Sequence, residues 1–339
     1  MSRRAERSMS RQAERPMVPE ATFQSYYGRP VIKPPRWKKP DVPIYLFSGG
    51  LAGSSALMAF LGEATGRRDM ARISQLTSAA SAAVGTAALI RDLGRPARFL
   101  YMLRTVKPTS PLSTGSWILA SFSTLSAAAA ASTVTGLFPG PARLAKAGAA
   151  ALGPLMMTYT SILFADTAVP AWHEAYRELP FVFAGGSLIS GGGASLLLSP
   201  VDQAGPARAV AVAGTLLEAG ATRRMTSRLG MLAEPYHEGR AGRWMRAARM
   251  LSVAGAVGAV VAQRSRLGSA LAGVALLAGS VCARLGIFEA GLESAKDPKY
   301  TVLPQRERLS ARGMGQTSAG QAGAAASWLT DRAAPVGRP

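Results

Sequence analysis

Apolar residues fall in eight long runs along this chain: 42–61, 73–90, 112–137, 144–164, 179–198, 207–221, 247–262 and 267–287. Basic residues crowd into the short connectors between the runs and into the two ends. A helix crossing the hydrocarbon of a bilayer needs ~20 mostly apolar residues, with a range of roughly 17 to 25. Barrel strands need only ~10, and those alternate in polarity. The runs therefore predict continuous helices, which satisfy their own backbone hydrogen bonds in a medium without water. The sixth and seventh are the shortest and are rich in alanine. The pattern predicts an all-α integral membrane protein, a bundle of about eight transmembrane helices. It divides the chain into a basic arm (1–41), an eight-helix membrane domain (42–290) and a tail (291–339). The last part of that tail, beyond Leu309, is rich in Ala, Gly and Gln and reads as disordered.

Composition agrees with the pattern. Of the 339 residues 48% are hydrophobic and 17% charged, yet the formal net charge is +20. A soluble domain carries about a quarter charged residues. Nucleic-acid binders need Lys and Arg clustered on a soluble face, with aromatic platforms for single strands. Here the cations punctuate apolar segments, so no nucleic-acid partner is expected. The arm has no apolar stretch of signal-peptide type before residue 42, and reads as a retained segment.

Charge also orients the bundle. The arm, the second-to-third, fourth-to-fifth and sixth-to-seventh connectors and the tail together hold 29 Lys and Arg, against eight in the opposite connectors. The positive-inside rule then places both termini in the cytoplasm.

Cysteine and histidine usage bounds the chemistry. Cys282 is the only cysteine, so the chain cannot ligate an iron–sulfur cluster of its own. His173 and His237 both fall in polar connectors. Paired helix histidines for a membrane haem are therefore not expected.

The polar residues that stand out gather at the predicted cytoplasmic ends. The second helix closes on Arg91-Asp92-Leu93-Gly94-Arg95-Pro96, where Gly and Pro stop it. Asp92 either pairs with Arg95 or serves chemistry at membrane depth. The connector continues through Arg98 and Lys107, with Ser113 as a cap for the third helix. Tyr159 is an interface tyrosine or a pocket-lining one, and Asp166 closes the fourth helix. Trp172 and Tyr176 fit the headgroup level. His173, Glu174 and Arg177 form either a proton relay or a charged docking surface. Glu218 and Glu289 are further candidates, with Arg284 snorkelling or pairing with one of them.

Several of these segments together resemble the NrfD/polysulfide reductase membrane-subunit family. They are Asp92-Leu93-Gly94-Arg95-Pro96, Lys107-Pro108-Thr109-Ser110-Pro111 with Ser116-Trp117, and Tyr159-Thr160 ahead of Ala165-Asp166-Thr167-Ala168-Val169-Pro170. Trp172-His173-Glu174 and Ala295-Lys296-Asp297-Pro298 complete the match, which covers roughly residues 31 to 309. The resemblance implies an eight-helix, haem-free subunit in the inner (cytoplasmic) membrane. It implies a four-cluster iron–sulfur protein and a molybdopterin catalytic subunit as partners, possibly formate dehydrogenase-like, and a menaquinone or ubiquinone as substrate. By the same match Tyr159 and Asp92 would contact the quinone, and Asp92, Asp166, His173 and Glu174 would handle protons. Arg95, Arg98, Lys107 and Arg177 would face the partner or anionic lipid. Two alternatives stand beside this. One is a structural anchor, since the first helix lacks the Asn and His that line the quinone in the polysulfide reductase branch. The other is a small-molecule transporter, which would show repeats and broken helices.

Overall fold

A computed structural model describes residues 30–35 and 37–309, and among them every regular element is helical. The eight apolar runs become eight long helices. The first four are α1 (Asp41–Ala64), α2 (Arg68–Asp92), α4 (Pro111–Thr135) and α5 (Pro139–Ala165), with the short α3 (Ala97–Leu103) between α2 and α4. After the single turn α6 (Pro170–His173) come α7 (Leu179–Leu198) and α8 (Gly205–Leu229). The short α9 (Glu234–His237), then α10 (Gly239–Val261) and α11 (Arg266–Lys296), follow. A last helix, α12, spans 299–309. The 290/291 boundary thus falls inside α11. Residues 1–29 and 310–339, with the disorder expected of the tail, lie outside the described residues.

Seven of the long helices are long and apolar enough to cross a membrane. The exception is α8. It runs past the apolar stretch 207–221 at its C-terminal end and carries Arg208, Glu218, Arg223, Arg224 and Arg228. The seventh run is extended in the same way, because Gly239 to Arg246 adds two polar turns to the start of α10. Hydrophobicity marks only the portion of a helix that needs lipid, so both helices are longer than their apolar runs.

The long helices pack as two rings of four. In the first ring α1 packs on α2, α2 on α4, α4 on α5, and α5 returns to α1; in the second, α7, α8, α10 and α11 repeat that order. The rings meet mainly through α1 and α7. Small residues set this seam. A β-carbon on Gly50 would strike the Ser187 hydroxyl, and one on Gly191 would strike that of Ser54. The pairs advance four residues on each helix, so α1 and α7 run parallel. Each ring closes at a glycine pair of its own. A β-carbon on Gly53 would lie 2.6 Å from the Gly153 carbonyl oxygen, and one on Gly193 would lie 3.0 Å from that of Gly273. Close backbone approach through small residues is the usual basis of helix association in lipid, where no hydrophobic drive operates between helices. Serines add polar contacts, with Ser78 bonded to Ser126 at 2.9 Å and Ser74 to Ser195 at 3.1 Å across helices.

Candidate functional site

The chain ahead of α1 folds back over one end of both rings. Its anchor is Trp37, whose ring lies 5.0 Å from Phe164, 5.4 Å from Trp172 and 6.5 Å from Phe288. Polar contacts flank it. Asp92 Oδ1 accepts the backbone N–H of Lys38 at 2.9 Å, and Arg91 approaches Asp41 at 3.7 Å. Lys39 and Arg240 both reach the buried carboxylate of Glu289, at 3.0 and 3.5 Å. Asp92 therefore does not pair with Arg95, because the returning arm supplies an N–H closer to hand. Gly94, at φ 72°, makes the turn that carries the chain on to α3.

Trp172 corrects an expectation. It is fully buried rather than set at headgroup level, and its indole N–H donates to the Ile287 carbonyl at 2.8 Å. Gly291 makes its place, since a β-carbon there would fall within the indole. Tyr176 is half exposed, as a boundary residue should be.

Tyr159 lies below this layer, on α5 six residues before Ala165, or about 9 Å along the helix. Its ring is 6% exposed and meets Tyr45 of α1 edge-on, with centroids 6.4 Å apart. Gly115 of α4 faces it closely enough that a β-carbon would lie 2.7 Å from the ring. Leu119, Phe122 and Met156 belong to the same apolar cluster. The Tyr159 hydroxyl has no hydrogen-bond partner among the described residues. The ring is thus turned into the interior of the bundle. A buried hydroxyl left unpaired costs about 1–3 kcal/mol, so it marks a place where another acceptor or donor belongs.

The remaining candidates are near in sequence but do not form one constellation. Asp166 caps α5 and is exposed. His173 lies with Nδ1 2.8 Å from the Ala165 carbonyl, Glu174 pairs with Arg308 at 3.2 Å, and Arg177 bonds the Tyr176 hydroxyl at 2.9 Å. No relay connects them. A stronger pair, Glu178 and Arg228, sits beside them, with Arg228 Nε and Nη2 on the two carboxylate oxygens at 2.8 and 2.6 Å. The hydrogen-bonded Arg228 guanidinium holds the Glu178 carboxyl below the usual carboxylate range, against the opposing effect of burial. Arg95 and Lys107 are exposed on the connectors flanking α3, and Arg98 is exposed on α3 itself. Ser113 does not cap α4. Ser110 holds that position, and the Ser113 hydroxyl accepts the Lys107 N–H and donates to the Thr105 carbonyl. Arg284 does not snorkel: it is 1% exposed, donates to the Phe183 carbonyl at 2.7 Å and forms no direct salt bridge among the described residues.

Trp37, Tyr45 and Gly115 were not singled out from sequence. The Pro-rich stretch around Trp37 was the available signal, since a lone tryptophan among cations and prolines is placed to plug rather than to span.

The family model described as Polysulphide reductase, NrfD matches residues 37–203 of this chain. That segment begins at Trp37 and includes the whole first ring, Tyr159 and α7. A search of curated proteins finds no match.

Proposed function

Starting from the chain's membership of the polysulphide reductase NrfD family, which makes it a membrane subunit of a redox enzyme complex, we propose that it passes electrons between an iron–sulfur partner and a membrane quinone. The observation that carries this reading is the unpartnered Tyr159 hydroxyl, buried among Tyr45, Leu119, Phe122 and Met156. An aromatic, apolar setting with one free hydroxyl suits a quinone headgroup, whose carbonyl would accept the Tyr159 proton in a hydrogen bond. The substrate would be of the menaquinone or ubiquinone class. Its reduction to a quinol consumes two electrons, delivered by the partner, and two protons. Asp92, half-buried at the end of α2, and Asp166, exposed at the end of α5, are placed to collect protons from the aqueous side.

Tyr159 lies only about 9 Å below the end of α5. An electron donor docked on that face would thus approach the quinone without a haem between them. Arg95, Arg98 and Lys107 would receive an acidic surface of a four-cluster iron–sulfur protein, itself attached to a molybdopterin subunit. By the positive-inside rule the excess of cations on this side would put that partner in the cytoplasm, at the inner membrane.

The test is quinone reduction by the intact complex carrying Tyr159→Phe or Asp92→Asn. We expect turnover to fall on the order of a hundredfold for Tyr159→Phe, the usual effect of removing one preorganised donor, with subunit assembly unchanged. Undiminished turnover in both variants would leave the chain as an anchor for a soluble redox enzyme.

A further inference from the structure

The second ring holds a buried pair of opposite charges that the quinone reading does not use. Glu218 of α8 is 9% exposed and has no hydrogen-bond or ion-pair partner among the described residues. Arg284 of α11 faces it. Through Nη2 alone Arg284 is bonded to the Phe183 carbonyl and, at 3.1 Å, to the Ser187 hydroxyl; its guanidinium lies 4.1 Å over the Phe183 ring. Its Nε and Nη1 have no partner among the described residues.

Gly186 of α7 stands between the two charges. A β-carbon there would lie 3.3 Å from Glu218 Oε1 and 3.3 Å from Arg284 Nη2. The groups are too far apart to bond directly, and glycine leaves the gap between them open. On its other side Glu218 lines a cavity of about 310 Å³ between α8, α10 and α11, together with Thr215, Thr222 and Ser252. The Ser252 hydroxyl, on a residue 3% exposed, also lacks a partner. At about 30 Å³ per molecule the cavity has room for several waters, and it supplies the polar partners that buried water requires. The charges around Glu218 are Arg284 from α11, Arg249 from α10 and Arg223 from α8 itself. From α7 it meets Gly185 and Gly186, which carry no titratable group.

A carboxylate buried without a bonded partner is relieved either by water or by a proton. Ionisable groups at membrane depth are retained where they carry ions or protons. We propose that Glu218, Arg284 and Gly186 form a hydrated proton-exchange site in the second ring, separate from Tyr159. A hydronium arriving through the cavity gives its proton to the Glu218 carboxylate and leaves as water; the reverse step restores the carboxylate. Arg284 is the fixed countercharge, and a water in the Gly186 gap joins the two. This site does not depend on the quinone reading.

The test is infrared spectroscopy of the complex, purified from native membranes into lipid nanodiscs, followed against pH in H2O and in D2O. The expected result is a carboxyl C=O band that grows on acidification, shifts in D2O and is lost in Glu218→Gln. Gly186→Ala provides a second variant, because the atoms nearest its added methyl are the side-chain ends of Glu218 and Arg284. It should shift the same band toward that of a dehydrated carboxyl and abolish its fast exchange with D2O. Identical titrating bands in wild type and Glu218→Gln would overturn the proposal. So would a Gly186→Ala protein with a wild-type band and exchange. If Glu218→Gln does not assemble, the Gly186→Ala comparison decides alone.

Discussion

Gly291 and Trp172 occupy what is nearly one volume: the indole lies where any side chain on Gly291 would be. Gly291→Ala should therefore displace the indole, break its bond to the Ile287 carbonyl and disturb its stacking with Trp37 and its tilted contact with Phe164. Overpacking of this kind costs about 1–3 kcal/mol. Thermal unfolding in detergent would register the loss, and an unchanged midpoint would show that the aromatic layer yields easily.

Tyr159→Phe should have the opposite relation to stability. The hydroxyl has no partner to lose, so its removal leaves stability unchanged or slightly raised, within about 1 kcal/mol. A large destabilisation would mean that the hydroxyl is already bonded in the resting protein. Turnover and stability would then fall together instead of separating.

The fold-back of the arm rests on Glu289 and Asp92 as well as Trp37. Glu289→Gln weakens the hold on Lys39 and Arg240, and Asp92→Ala removes the acceptor of the Lys38 N–H. In the double variant, trypsin should cleave after Lys38 faster than in wild type. Equal rates would assign the attachment to the Trp37 aromatic contacts alone.

Acid should loosen the connector after α6. Arg228 holds the Glu178 carboxyl below its ordinary range, so the pair contributes fully above about pH 4.3, the ordinary glutamate value. That contribution disappears as pH falls through the lower folded-state value. The melting midpoint of the wild type should drop in that window, and Glu178→Gln should flatten that part of the profile. The variant should also cost about 1.5–3 kcal/mol at neutral pH, the scale of a charge-assisted hydrogen bond. Parallel wild-type and variant profiles would exclude Glu178 as the cause.

The membrane bundle was legible because the eight apolar runs have the length that hydrocarbon demands. The extra turns of α8 and α10 were not, since Arg-rich helix and Arg-rich loop share one composition. The ring order was also hidden. It depends on which glycine faces which serine, as with Gly50 and Ser187, and hydropathy does not resolve a single face. Tyr159 was visible as a hydroxyl inside an apolar run. Trp172 was misread because a tryptophan next to a helix-ending proline resembles an interface residue; only the returning arm shows what buries it. For the same reason Trp37 was missed, and His173, Glu174 and Arg177, adjacent in sequence, were grouped although each turns to a different neighbour.

The repeated ring order bears on how the protein is made. The first ring closes on itself through α5 and the Gly53–Gly153 contact, and no later helix is needed to complete that circuit. The first ring can thus close before the second ring is complete. The second ring then assembles against an existing template, the exposed flank of α1, which sets the position of α7 through Gly50 and Ser54. Biogenesis thus becomes two short folding problems in succession instead of one long search among eight helices.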